Sequence, residues 1–448
     1  MSSLKPNRII SGLASVMFLT SLGLAQQKLE LTLEESINIA LKKNKSLTVA
    51  EEKVKESQAK IGEARAGFFP QINSRSSYTR LDVVPYISIS KFPFPVGPPA
   101  GTPTRIEVGD DDNYSATVSV QQPIFTGFKI FNSYRIAEYN ARAEQFNYEK
   151  TKSELIFKVK QSYYDVLKAQ EFRKVSEQAV AQMEAHVRDL ENMYQVGMVA
   201  ENDLLKAKVQ LSNARLMRIK AVNAMKMAKA GFCSILGLPL DTDIGLMAKL
   251  EYEPREPIEL DEAIEKALRE RPEIKAMQYN INIGQKAVSL AKAQWLPNLM
   301  LIGNYNYKRP NREYEKKWYR SWDVTLAVQM NIFDWGTTYY QTAQAKHRLR
   351  QIEEGYRQLQ DGITLEVTQS YLALQEAQEK VAVARENTSQ AEENFRVTHE
   401  RFKQGMATNT DLLDANTMLT QAKMEYIQAL ADYNVARAKL ERAMGILH

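Results

Sequence analysis

Cysteine is nearly missing: Cys233 is the only one in 448 residues, so no intramolecular disulfide can form. That suits an exported protein held together by packing, with Cys233 as a buried apolar residue. Long hydrophobic runs are also missing beyond the first 25 residues, and the mean hydropathy of -0.42 excludes a polytopic helical membrane protein. Any membrane span must therefore be built without apolar helices. Histidine is scarce, and His186, His347, His399 and His448 are scattered without metal-ligand spacing. With no glycine-rich phosphate loop and no nucleophile elbow, the sequence offers no foothold for catalysis, and neither a cofactor nor a metal is expected. Charge of one sign is not in excess: 59 basic residues face 54 acidic ones, for a net +5 without a basic block. A nucleic-acid partner has no support in that balance. Finally, glycine and proline are absent between Gly127 and Gly197. At a rise of ~1.5 Å per residue, that stretch permits a helical rod of roughly 100 Å.

The chain is too long for one ordinary compact domain, and its charged and hydrophobic fractions, 25% and 44%, exclude wholesale disorder. Lys5 and Arg8 precede an apolar run that ends in Gly23, Leu24 and Ala25, the pattern of an export signal over residues 1–25. A membrane anchor is the alternative. No cysteine follows the run, so an N-terminal lipid anchor by that route is excluded.

The rest of the chain reads as two copies of one plan. Leu33-Glu34-Glu35-Ser36-Ile37 recurs as Leu260-Asp261-Glu262-Ala263-Ile264, and Phe69-Pro70 as Leu296-Pro297. Further on, Tyr194-Gln195-Val196-Gly197-Met198 is answered by Phe402-Lys403-Gln404-Gly405-Met406, and Asp203-Leu204-Leu205 by Asp411-Leu412-Leu413. The expected division is residues 26–237, a crossover at 238–257 rich in proline and charge, and residues 258–448. Each copy reads as helix, strand, loop, strand, very long helix, tight turn, long helix.

Two periods carry this reading. Ser176, Val180, Met183, Val187, Leu190 and Tyr194 alternate steps of four and three, as do Val381, Ala384, Thr388, Ala391, Phe395, Thr398 and Phe402. The return arm repeats the rhythm from Leu412 through Ala415, Leu419 and Ala422 to Ala443. A mean step of ~3.5 is the coiled-coil period, and alternation of large residues with alanine lets helices approach closely. By contrast, Tyr114, Ala116, Val118 and Val120 alternate with polar residues, as do Trp322, Val324, Leu326 and Val328. With less regular partners, this predicts strands at about 70–80, 113–125, 297–308 and 321–333, each near the ~9–11 residues a tilted strand needs to cross a bilayer. Trp295, Trp318, Trp322 and Trp335 fall at or near strand ends, as an interfacial girdle would require. A soluble hairpin with core aromatics is the alternative. Four strands cannot close a barrel, and an open edge cannot face lipid, so several chains must share one. Two copies would give eight strands and a filled interior, three would give twelve and a lumen; the sequence does not choose.

These motifs give the chain a resemblance to the TolC-like outer membrane efflux proteins, from Leu33 to the C-terminus and in both copies. The resemblance implies a mainly α fold with β: a homotrimer whose twelve-stranded transmembrane β-barrel in the outer membrane continues as a long α-helical coiled-coil barrel across the periplasm. It implies partners as well, a periplasmic adaptor and an inner-membrane pump, besides outer-membrane lipid. Val196, Gly197, Met198, Val199 and Ala200 on one tip, with Gln404, Gly405, Met406, Ala407 and Thr408 on the other, become the expected adaptor-docking surface. Glycine at 197 and 405 suits the positive φ of a helix reversal. Asp411 and Asp414 lie on one helix face, where three-fold symmetry would stack two carboxylate rings that favour cations at the periplasmic entrance. A helix N-terminus that simply attracts aspartate is the alternative. Asp203 and Phe402 match positions that help hold the family's entrance closed, whereas Ala407 stands where the family's pattern has a basic residue.

The insert at 81–113 carries six prolines before Asp110-Asp111-Asp112 and is expected to lie outside the cell as a loop without regular structure. The function expected is a passive exit duct for drugs or other small molecules, energised by its partners. The outer-membrane component of type I protein secretion is one alternative. A periplasmic coiled-coil adaptor is another, although it should lack the alternating strands and their tryptophans.

Overall fold

The computed structural model describes residues 29–88, 105–254, 258–313 and 315–447. The export signal expected over residues 1–25 lies outside the described residues, as does most of the proline-rich run of the insert.

The first half comprises β1 (Leu29–Leu31), α1 (Leu33–Lys43), α2 (Lys45–Ala66), β2 (Gln71–Arg80), β3 (Tyr86–Ser88), β4 (Arg105–Glu107), β5 (Asp112–Thr126), α3 (Lys129–Gln195) and α4 (Glu201–Leu236). After β6 (Ile244–Leu246) come α5 (Leu260–Glu270), α6 (Pro272–Lys292), β7 (Asn298–Arg309), β8 (Tyr319–Gln329), α7 (Thr337–Lys403) and α8 (Asn409–Ala443). α1 starts where Thr32 and Glu35 form a capping box: the Glu35 amide donates to Thr32 Oγ1 at 3.2 Å, and the Thr32 amide to the Glu35 carboxylate at 2.9 Å.

β2, β5, β7 and β8 form one antiparallel sheet in that order, so β5 against β7 joins the two halves. Register places Ile72 beside Val120, Val118 beside Tyr305, and Tyr305 beside Trp322. These residues share a face with Leu301, Val324, Leu326 and Val328, and no helix covers it; Trp322 is 75% exposed. The opposite face is polar. There Thr117 donates to Asn306 at 2.9 Å, and Asn304 and Asn306 donate to Asp323 at 2.7 and 3.2 Å. In the single chain β2 and β8 are the edges of this sheet.

The insert differs from expectation. Its described ends pair, Tyr86 with Glu107 through Ser88 with Arg105, because these flanks carry aromatic and branched residues and no proline.

α3 and α7 each run 67 residues, ~100 Å of helix. Each lies against its shorter partner, α4 or α8. Ser176, Val180, Met183, Val187 and Leu190 are buried along the seam, as are Leu412, Ala415, Leu419 and Ala422 on the returning arm. Tyr194 breaks the pattern and is 43% exposed. It occupies the last turn before the reversal, beyond the point where α4 can cover it.

The apolar core is divided. One cluster joins α1, α3, α4 and β6 around Tyr163 and Phe232, with Cys233 fully buried in it. A second joins α5, α7 and α8 around Val367 and Ala443. Beside it, Arg271 donates to Glu366 at 2.6 Å and to Glu273 at 3.0 Å, and Arg442 also reaches Glu366. Burial alone would raise the Glu366 pKa, but the two guanidiniums overcome it and hold the carboxyl below its usual range. A third cluster lies near the helix tips, around Leu190, Leu204, Ala207 and Leu413.

Candidate functional site at the helix tips

Both long hairpins reverse by the same geometry. At the first tip Gly197 has φ 74°, its amide donates to Tyr194 O at 3.0 Å, and the Met198 amide to Met193 O at 2.8 Å. At the second Gly405 has φ 72°, its amide donates to Phe402 O at 3.0 Å, and the Met406 amide to Arg401 O at 2.8 Å. This paired-bond pattern satisfies the last carbonyls of the helix and requires the left-handed residue that glycine supplies. A Cβ at either glycine would meet nothing within 4 Å, so the requirement is conformational and not steric crowding. Val196, Met198, Ala200, Gln404, Met406 and Thr408 are exposed at the reversals, while Val199 and Ala407 are half-buried.

The starts of the returning helices differ. Ala200 gives α4 no side-chain cap, and Asp203 in its first turn stands 3.9 Å from Lys206. α8 has a full capping box: the Asp411 amide donates to Thr408 Oγ1 at 3.2 Å, while the Asp411 carboxylate accepts from the Thr408 amide at 2.9 Å and its hydroxyl at 2.7 Å. These bonds, the backbone one foremost, hold the Asp411 carboxyl below its ordinary pKa. Asp414 is exposed one turn further along the same face.

Between the hairpins lies a clasp that the sequence did not reveal. Asn409, only 6% exposed, donates through Nδ2 to the Asp203 carbonyl at 3.0 Å. Its Oδ1 is thereby turned toward His186 Nε2, 2.8 Å away, which assigns the ring hydrogen to Nε2. The Phe402 ring stands edge-on to His186 with centroids 5.4 Å apart. Asn416 and Leu413, both on α8, reach Met183 and the α3–α4 core. Burial pushes the His186 pKa down; the bond it donates to Asn409 and the charge of Asp189 pull it back in part, and His399 adds to the lowering. His186, Asp189, Phe395, His399 and Leu412 line a cavity of about 310 Å³.

Of the residues singled out from sequence, Asp203 and Phe402 are thus brought to one place, Asp203 by its backbone carbonyl and not its carboxylate. Asp411 and Asp414 stay on the exposed side of α8, and Asp411 serves as a cap within the chain. His186 and Asn409 carried no periodic signal. A hint lay in an amide side chain directly after the capping Thr408, at a position where a polar group must find a partner or water.

Among the described residues no group of three or more His, Cys, Asp or Glu could hold a metal ion. No described helix is long and apolar enough to cross a membrane.

Known proteins share this arrangement. The chain matches the outer membrane efflux protein family over residues 36–238 and again over 263–446. It is 24% identical over 438 residues to the outer membrane efflux protein BepC of Brucella suis, covering 96% of this chain and 89% of that one. Over 356 residues it is 24% identical to the alkaline protease secretion protein AprF of Pseudomonas aeruginosa, covering 77% and 73%. The crystal structure of the Campylobacter jejuni CmeC outer membrane channel superposes with a TM-score of 0.76 at 18% identity, over 92% of this chain and 85% of that one. Given the two matched halves, the uncovered apolar sheet and the long paired rods, the chain belongs to the outer membrane efflux protein family.

Proposed function

We propose that three copies of this chain close one twelve-stranded barrel and form a passive exit duct for drugs or other small molecules. One observation carries this reading: a four-stranded sheet with a bare apolar face and two unpaired edges stands on rods of ~100 Å. Lipid cannot satisfy the edge amides, so β2 and β8 must pair with neighbouring copies, and twelve strands leave a lumen where eight would fill. The polar face, with Asn304, Asn306 and Asp323, then lines the pore, and residues 26–237 and 258–448 contribute a third of the wall in two like halves.

Energy comes from outside the chain, through an inner-membrane pump and a periplasmic adaptor that docks on the two exposed tips. Asp411 and Asp414, repeated three times, form the carboxylate rings of the entrance. The relatives called efflux proteins and outer membrane channels support small-molecule export. Type I protein secretion is the second reading, favoured by the likeness to a protein named for alkaline protease secretion.

Deleting the gene should raise intracellular retention of a fluorescent efflux dye, with the protein recovered from outer membranes at trimer mass. Normal dye retention with loss of a secreted protein would replace the first reading by the second. Recovery only as a soluble monomer would overturn both.

A further inference from the structure

The apolar face of the sheet changes character at the end remote from the helices. Along β8 the outward series Val328, Leu326, Val324 and Trp322 ends in Arg320, and along β7 the series Leu301, Tyr305 and Tyr307 ends in Arg309. Register sets Tyr307 opposite Arg320 and Tyr114 opposite Arg309, so both arginines share the apolar face. Each guanidinium lies against an aromatic ring, Arg320 5.9 Å from the Tyr307 centroid and Arg309 5.8 Å from Tyr114, while Arg312 lies 5.1 Å from Tyr319, whose register opposite Lys308 sets it on the other face. Trp318 stacks on Tyr307 at 4.5 Å and closes the group.

Among the described residues, none of these three arginines has a carboxylate partner, and Arg309 Nε is buried without any hydrogen-bond acceptor. The nearby acids are largely engaged elsewhere: Asp110 with Lys316 at 2.9 Å, Asp111 and Asp112 with Arg80 at 3.2 and 3.5 Å, and Glu315 with Lys317 at 3.1 Å. Glu313 on the β7–β8 loop is exposed. An arginine at headgroup depth, above a band of Trp322 and Val324, faces lipid phosphates, and its forked donors fit a phosphate bidentately.

We propose that Arg309 and Arg320, seated on Tyr114 and Tyr307 beside Trp318, bind the phosphate of a lipid headgroup in the outer leaflet. The site rests on the reading that this sheet crosses the outer membrane with its apolar face to lipid. It would anchor the barrel vertically and give the channel a preference for phosphorylated lipid.

The test uses the full-length channel in nanodiscs of an uncharged, phosphate-free glycolipid doped with a phosphorylated glucosamine lipid or its dephosphorylated counterpart, with bound lipid counted by native mass spectrometry. Retention of the phosphorylated form should exceed that of the other by roughly tenfold and fall by a similar factor in Arg309→Gln/Arg320→Gln. Lys317→Gln, which removes an already paired cation, should retain lipid as the parent does. Equal retention of the two lipids, full retention by the double variant, or displacement by millimolar inorganic phosphate would each overturn the proposal. If the double variant fails to assemble, Arg320→Gln alone, at an exposed position of β8, must still lower retention. Counting is restricted to protein that conducts in planar bilayers, so failure of the lipid site is distinct from failure of the channel reading.

Discussion

The two helix tips share a reversal and differ in how the returning helix begins. Gly197 and Gly405 have nearly the same φ and the same pair of closing bonds. Yet α4 starts uncapped at Ala200, with Asp203 near Lys206, whereas α8 starts with a capping box and presents Asp411 and Asp414 unopposed by a cation in the same turn. Backbone geometry is therefore common to both halves, while the capping and the charge of the first helical turn differ between the tips.

The comparison can be broken most strongly where the tips touch. Leu413→Ala removes an α8 side chain buried among α3 and α4, and should cost about 2–5 kcal/mol, read as a lowered unfolding midpoint and faster proteolysis at the tips. Next come the glycines. Gly197→Ala and Gly405→Ala should each cost about 1–2 kcal/mol, and equally, since neither site is crowded. A much larger loss at one tip would show that the shared reversal conceals different constraints. The caps should then separate the tips: Thr408→Ala is expected to cost ~1 kcal/mol, whereas Ala200→Ser should gain up to that amount.

Acid provides a finer probe. Because burial depresses the His186 pKa more than the Asn409 bond raises it, the neutral ring is the form the folded site favours. The clasp is complete above the ordinary histidine value of ~6.5 and weakens as pH falls through the lower folded value. Asp411 has the same sign in a more acid window, since its depressed carboxyl stabilises the cap only while ionised. Tip proteolysis measured against pH should lose its upper step in His186→Gln and keep the acid one. Smallest of all, Asp411→Asn with Asp414→Asn should weaken the cation preference of single-channel currents; unchanged selectivity would remove the pair from the entrance.

Much of the fold was legible because it is periodic. Val118, Val120, Val324 and Leu326 alternate along strands that expose one face, and Val180, Met183, Val187 and Leu190 recur at the spacing a paired helix needs. The tips were visible through Gly197 and Gly405, since reversal demands a residue that tolerates positive φ. Repetition also explains why the clasp was hidden. His186 and Asn409 are 223 residues apart, belong to neither period, and meet only because α8 packs back on α3. The role of Asp411 was half visible: Thr408 three residues before it spelled a capping box, but its spacing from Asp414 pointed more strongly to a shared face. The insert departs from expectation because proline-rich composition describes its middle and not its flanks.

The division of the apolar core into clusters along the rods has a consequence for how the molecule loosens. Cooperativity weakens with distance between separately buried groups, so amide exchange should form a gradient, slow around Tyr163 and Val367 and fast beyond Leu190. The end bearing the clasp should then fray and re-form while the remainder stays intact, a consequence of nothing more than an unevenly distributed interior.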